Sequence, residues 1–200
     1  MRVTIAAHAC LLVVARPDLG LYPQTREIVV YPETFGETVE AVAPDGRRYH
    51  TMPDIAGQHM NRGPVIISWN DARRSIADPA DGYNVMFHEF AHALERMDGA
   101  YDGLPPLENP AQTREWVRTI KAEYEALRAY LDGGRATFIR PYAATNPSEF
   151  FAVATEHFFE QPRELAARHP ELYQRFSGFY RLDPRKWVSR AFSSMSDADV

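Results

Sequence analysis

The stretch NVMFHEFAHALERM, residues 84–97, constrains the fold of this chain more than any other segment. It predicts a helix that begins after an Asn84 cap, runs to about Met97 and ends at Asp98-Gly99. Two histidines and a glutamate stand among mostly apolar neighbours: Phe87, Phe90, Ala91, Leu94 and Met97. Uncompensated imidazoles and a carboxylate are costly on a buried helix, and a metal ion would compensate them.

Within this helix, HEFAH matches the HExxH motif of zinc metalloproteases. Residues four apart share a helix face, so His88 and His92 can present their imidazoles to one ion. Catalytic zinc sites use three protein ligands and leave one position for water. Glu89 is rotated by about 100° around the helix axis, so we expect it to act on that water as general base. The alternative is two structural histidines, and roughly one chain in a hundred matches by chance.

The HEFAH motif supplies two metal ligands, and the sequence pattern alone does not identify the third. Asp98 stands where metzincins have a third histidine, but Glu95 replaces the glycine that would let the chain bend. Glu149 and Glu156 lie on a second predicted helix, and two histidines with one glutamate form a known catalytic set. His157, on the same helix, is interpreted as structural.

A structural role also competes for Glu149. Asn146 and Glu149 have the spacing of a capping box, in which the side chains satisfy backbone amides at a helix start. From the residues alone, Glu149 and Glu156 remain equal candidates for the third ligand.

The 200 residues suit one α+β domain, which we expect to span residues 1–188, followed by a flexible tail at 189–200. The apolar opening, MRVTIAAHACLLVVARP, is expected to be a buried helix or strand. Elsewhere, local patterns predict strands at 26–32 and 63–69, a turn at 44–46, and helices at 111–131, 146–160, 163–169 and 171–180.

The composition argues against several classes of binding partner. With 22 basic against 27 acidic residues, the chain lacks the basic surplus of a nucleic-acid binder. No apolar run approaches the length of a membrane span. The single cysteine, Cys10, excludes an internal disulfide and a Cys-rich zinc ribbon, and it favours the reducing cytoplasm.

Several blocks together resemble the Mlc titration factor A family of zinc peptidases, family M90. They are HEFAH and, at residues 2–14, 63–71, 142–162 and 176–184, RVTIAAHACLLVV, GPVIISWND, YAATNPSEFFAVATEHFFEQP and FSGFYRLDP. The similarity covers nearly all of residues 2–187. It implies a zincin-like domain, mostly helical with a small sheet beside the metal helix. Family members usually begin with an additional N-terminal helical segment, and we expect that a natural segment of this kind is missing from the start of this sequence.

Carried over by position, the resemblance implies His88, His92 and Glu149 as ligands of one zinc ion and Glu89 as the catalytic glutamate. Tyr142 matches a tyrosine that such zincins place near the metal, where its phenol could hydrogen-bond the oxyanion. The alternative for Tyr142 is an ordinary half-buried tyrosine.

One position departs from the family pattern. The family commonly has aspartate three residues after the second histidine, where this chain has Glu95. Its carboxylate would either orient a ligand imidazole or be a solvated charge on the helix face.

These observations predict a zinc-dependent peptidase that takes a peptide substrate along the GPVIISW strand. The family comparison suggests aminopeptidase-like cleavage of short peptides. One alternative is a regulatory module that sequesters a transcriptional repressor, as the family name implies. Another is a zinc hydrolase that acts on bonds other than peptide bonds. The intact Glu89 favours an enzyme, because zinc binding alone does not require it.

Overall fold

The computed structural model describes residues 1–33, 39–42, 48–51, 64–99 and 102–187. Its α-helices are α1 Arg2–Val13, α2 Trp69–Ala77, α3 Val85–Glu95, α4 Pro110–Asp132, α5 Pro147–Glu160, α6 Pro162–Arg168 and α7 Pro170–Tyr180. Its strands are β1 Ile28–Tyr31, β2 Val39–Val42, β3 Arg48–Thr51 and β4 Val65–Ser68. Short 3-10 helices lie at Pro17–Leu19, Arg96–Asp98 and Pro141–Ala144.

The described strands form two small sheets. β1 and β4 are parallel, with Ile28 opposite Val65 and Tyr31 opposite Ser68. β2 and β3 are antiparallel. β4 packs against α3, so one small sheet lies beside the HEFAH helix. The predicted class, α+β and mostly helical with a small sheet beside that helix, is confirmed.

The centre of the core is α5. All ten residues from Phe150 to Phe159 are buried, because α3, α4, α6, α7 and the 3-10 helix Pro141–Ala144 all pack on it. A helix that is apolar on all sides must be surrounded in this way. Any charged group on α5 is therefore held in the interior and needs a partner there.

Side-chain caps fix where the two central helices start. The Asn84 side-chain oxygen accepts hydrogen bonds from the N–H groups of Met86 and Phe87, both at 3.1 Å. The Asn146 oxygen accepts from the N–H of Glu149 at 2.9 Å, and Pro147 occupies the first helical position. Both starts agree with the sequence prediction.

The far end of α3 is shorter than predicted. It ends at Glu95 and tightens into the 3-10 turn Arg96–Asp98, after which Gly99 takes a left-handed φ of 87°. The opening segment is a helix, α1, as one of the two expected alternatives. It packs on α3, and only one face is buried, through Ile5, Ala9, Leu12 and Val13, while Val3 and Cys10 are exposed. None of the described helices is both long and apolar enough to cross a membrane.

α2 was missed by the sequence prediction, which placed a strand at 63–69 and no helix directly after it. In the structure, Ser68 ends β4 and caps α2 directly, since its Oγ accepts from the Asp71 N–H at 3.1 Å. The turn predicted at 44–46 and the tail predicted at 189–200 lie outside the described residues.

Candidate metal centre

The structure brings three potential ligands together where α3 meets the start of α5. His88 Nε2 lies 3.2 Å from His92 Nε2. Glu149 Oε2 lies 3.0 Å from His88 Nε2 and 3.5 Å from His92 Nε2. Among the described residues, this trio is the group that could hold a metal ion. Asp98, the alternative third ligand, has its side chain outside the described part of the chain.

The spacing of the three donor atoms fits a tetrahedral ion. Two zinc bonds of about 2.0–2.1 Å at the tetrahedral angle place their donors about 3.3 Å apart. The observed separations of 3.0, 3.2 and 3.5 Å bracket that value. Glu149 Oε2 is also buried and has no hydrogen-bond partner, although it faces both imidazoles. A buried acceptor without a partner is costly, and a cation at this point would satisfy it.

The His88 ring nitrogen that points away from the three donor atoms contacts the carboxylate of a buried glutamate. His88 Nδ1 lies 2.8 Å from Glu156 Oε1. Glu156 is fully buried and also accepts hydrogen bonds from the Asn84 backbone N–H, at 2.5 Å, and from Arg140. A carboxylate on Nδ1–H leaves the Nε2 lone pair free to face the centre.

The outer nitrogen of His92 has a comparable environment. Its Nδ1 lies 3.1 Å from Ser148 Oγ and 3.4 Å from Glu95 Oε2. Ser148 hydrogen-bonds the same Glu95 oxygen, and the Gly103 N–H donates to Glu95 Oε1 at 2.6 Å. Glu95 is fully buried, so the alternative of a solvated helix-face charge was wrong. Its carboxylate lies against His92 and Ser148 instead.

The carboxylates around the two imidazoles draw protons onto them. Burial opposes charge on His92, but the nearby carboxylates of Glu149 and Glu95 outweigh it and raise its pKa to about 9. The pKa of His88 is raised well above its usual value against the same burial, by Glu149 and Glu156. Burial raises the pKa of Glu149, but the two imidazoles outweigh it and hold that pKa well below its usual range. A cation entering this site must displace those protons.

Glu89 differs from the other carboxylates near the centre. It is half-buried on α3, and its carboxylate has no hydrogen-bond partner among the described residues. Burial raises its pKa, and the nearby imidazoles of His88 and His92 only partly oppose this rise.

Tyr142 also lies near the centre. Its ring centroid is 6.0 Å from that of His88, and its side chain is half-buried on the 3-10 helix before α5. Both Tyr142 and Glu149 are therefore on the same side of the HEFAH helix. His157, in contrast, points away from the trio: its Nδ1 bonds Gln161 at 2.8 Å, and burial lowers its pKa to about 4.

The sequence analysis did not identify Arg140, Ser148 and Gly103 as parts of the site. Ser148 directly precedes Glu149 within the block at 142–162, and Arg140 stands two residues before Tyr142, but no pattern in the sequence assigns a role to either side chain. Gly103 could have been suspected from Asp102-Gly103, a turn signal. Its contact with Glu95 depends on how the loop after α3 folds back.

A HExxH helix, a buried glutamate from a second helix and a small adjoining sheet define a metallopeptidase-like domain of the zincin type. Sequence comparison agrees. The chain belongs to peptidase family M90: residues 1–181 match the family model described as glucose-regulated metallo-peptidase M90.

Among its relatives, the uncharacterized protein slr2042 of Synechocystis sp. is 39% identical over 188 residues, 92% of this chain and 67% of the relative. Mlc titration factor A of Edwardsiella ictaluri is 36% identical over 170 residues, 83% of this chain and 64% of the relative. Mlc titration factor A of Serratia proteamaculans is 36% identical over 169 residues, with 82% and 63% covered. The chain thus spans about two thirds of the length of these relatives.

Proposed function

We propose that the protein is a zinc-dependent peptidase in which His88, His92 and Glu149 hold the ion and Glu89 is the general base. The observation that carries the proposal is the arrangement of three inward-facing donor atoms, 3.0 to 3.5 Å apart. The outward-facing imidazole nitrogens contact carboxylates, which is typical of zinc-binding histidines. Membership of a family described as metallo-peptidases supports the same function.

The chemistry divides between the ion and the side chains. A zinc ion in this place would act as a Lewis acid and make a water molecule nucleophilic near neutral pH. The Glu89 carboxylate accepts a proton from the attacking water and passes it to the leaving amine. A pKa raised by burial suits this second step, because the protonated acid must form readily. The Tyr142 phenol donates a hydrogen bond to the oxygen of the attacked carbonyl.

The peptide is proposed to lie along β4. This strand packs against α3, and among the described strands it pairs only with β1. Backbone groups on its second edge are suited to bind an extended peptide by strand addition. Family resemblance favours aminopeptidase-like cleavage of short peptides. Comparing peptides with free and acetylated N-termini tests this point, and adding ester substrates separates a peptidase from another zinc hydrolase.

A second candidate function comes from the relatives named Mlc titration factor A. We infer that this chain also binds a transcriptional regulator of the Mlc type. Binding of a purified regulator to wild type and to a Glu89→Gln variant would show whether the two functions separate. As the compartment we propose the reducing cytoplasm, because the single cysteine, Cys10, is exposed and unpaired.

The test of the enzyme is the Glu89→Gln variant, assayed for zinc content and peptide cleavage. Glutamine keeps the shape of the side chain but cannot accept the proton, so zinc should remain while cleavage falls by at least about 100-fold. Glu125→Gln, at an exposed position of α4, is the matched control and should retain full activity. Unchanged cleavage by Glu89→Gln would remove Glu89 as the base, and zinc-free wild-type protein would remove the proposal.

A further inference from the structure

We infer that Glu156, held by Arg140 and by the backbone N–H of Asn84, is the positioning residue that makes His88 a metal ligand. The inference rests on the proposed zinc site and adds a residue pair, Glu156 with Arg140, outside the ligand set. Glu156 and Arg140 would then affect both the affinity for the ion and the geometry of its coordination.

The contacts of Glu156 reach three separate parts of the fold. Oε1 accepts from His88 Nδ1 at 2.8 Å and from Arg140, and Oε2 accepts from the Asn84 N–H at 2.5 Å. Asn84 is the cap of α3, the helix that carries His88. One carboxylate therefore fixes both the orientation of the imidazole and the start of the helix that carries it.

Burial makes this arrangement specific. Glu156 has no exposed surface, and a carboxylate in such a position requires compensation for its lost hydration. Arg140 provides the opposite charge, and its guanidinium also lies over the Tyr83 ring, 4.8 Å from the centroid. The geometry leaves the Glu156 carboxylate little freedom to turn away from His88.

The consequence for the ligand is chemical as well as geometric. A carboxylate that accepts from Nδ1–H selects one tautomer of the imidazole and increases the basicity of the opposite nitrogen. In His88 that nitrogen is Nε2, the atom that faces His92 and Glu149. Loss of the carboxylate should therefore weaken metal binding even when all three ligands are intact.

The experiment compares zinc affinity, by competition with a chromophoric chelator, among wild type, Glu156→Gln and Glu160→Gln. Glu160 is the matched control: it lies one turn further on α5 and bonds the same Asn84, through Nδ2 at 2.8 Å. Burial raises its pKa to about 8, so glutamine replaces a largely neutral carboxyl group near pH 7. Among the described residues Glu160 bonds no imidazole, unlike Glu156, so the two variants separate support of the helix start from support of the ligand.

We expect Glu156→Gln to weaken zinc binding by about 10- to 100-fold and Glu160→Gln to leave it near the wild-type value. In cobalt-substituted protein, the visible absorption bands should shift for Glu156→Gln only, because the geometry at the ion changes. Equal zinc affinity and equal cobalt spectra for folded Glu156→Gln and wild type would overturn the inference. Equal losses in the two variants would also overturn it, since the effect would then belong to the helix start.

Arg140 keeps the inference testable should Glu156→Gln fail to fold. Arg140→Met removes the charge that holds Glu156 and should weaken zinc binding by about 10-fold, whereas Arg140→Lys restores most of it. Wild-type affinity in Arg140→Met would overturn the inference. Failure of the proposed function gives a different result, because wild-type protein would then bind no zinc at all.

Discussion

Replacing Gly103 by alanine should destabilise the protein and loosen His92 at the same time. Gly103 has a φ of +79°, and an added Cβ would lie 2.5 Å from the backbone oxygen of Pro147. Alanine in the left-handed region costs about 1–2 kcal/mol. Because the neighbour is backbone at the start of α5, the loop must move by roughly 1 Å to relieve the contact.

That movement would break the bond between the Gly103 N–H and Glu95, which measures 2.6 Å. Hydrogen bonds to charged groups contribute about 1.5–3 kcal/mol. Strain and the lost bond together predict a loss of about 2.5–5 kcal/mol in the free energy of unfolding. Glu95 would also release Ser148 and His92, so zinc affinity should fall as well.

Gly99→Ala is the matched control for this prediction. Gly99 also has a left-handed φ, +87°, but no described residue lies within 4 Å of an added Cβ. The free energy of unfolding of Gly99→Ala should therefore fall only by the strain of about 1–2 kcal/mol, and its zinc affinity should be unchanged. Urea denaturation of both variants, with zinc titrations alongside, makes the comparison. Equal destabilisation of the two, with equal zinc binding, would refute the reasoning from the Pro147 contact.

Three further predictions concern the ion and the surrounding charges. Glu149→Ala should weaken zinc binding more than Glu156→Gln does in the same chelator competition, because it removes a donor atom. A larger loss in Glu156→Gln would instead make Glu156 the ligand and Glu149 the positioning residue. Zinc at about 100 times its dissociation constant should raise the free energy of unfolding by about 2.7 kcal/mol, and excess chelator should abolish the gain; a melting temperature indifferent to zinc would contradict this. His157 has its pKa lowered to about 4 by burial and, next, by Arg140, so the native state resists a proton that the unfolded chain accepts near pH 6.5. In metal-free protein His157 alone should therefore lower the free energy of unfolding by up to about 3 kcal/mol as pH falls from 6.5 to 4. Denaturant titrations of wild type and His157→Gln across this range should differ by that contribution.

The sequence predicted the local elements of the site well. The caps at Asn84 and Asn146 act over three residues, and the HEFAH spacing depends only on helix geometry, so both could be recognised without tertiary information. Only one of the two hydrogen bonds expected of a capping box at Asn146 and Glu149 forms. Asn146 does cap the Glu149 N–H, but the Glu149 carboxylate turns towards His88 and His92.

Contacts across long separations in the chain could not be predicted in the same way. Arg140, Ser148 and Gly103 join the site because the loop after α3 and the segment before α5 fold onto the two helices. Nothing in their local sequence encodes that approach. The same limit applies to Glu95, whose burial depends on Gly103 and Ser148 rather than on its own helix.

From the sequence alone, Glu149 and Glu156 were equal candidates for the third metal ligand. The packing of α3 against α5 distinguishes them. They are seven residues apart, which places both on one face of α5, about 10.5 Å apart along its axis. α3 and α5 are antiparallel, since Ser148 at the start of α5 meets Glu95 and Glu160 at its end meets Asn84. The His88 ring therefore lies between the two glutamates, with Nε2 towards Glu149 and Nδ1 towards Glu156. Only the register of the two helices decides which carboxylate shares the inner face with His92 and which one orients the ring from behind.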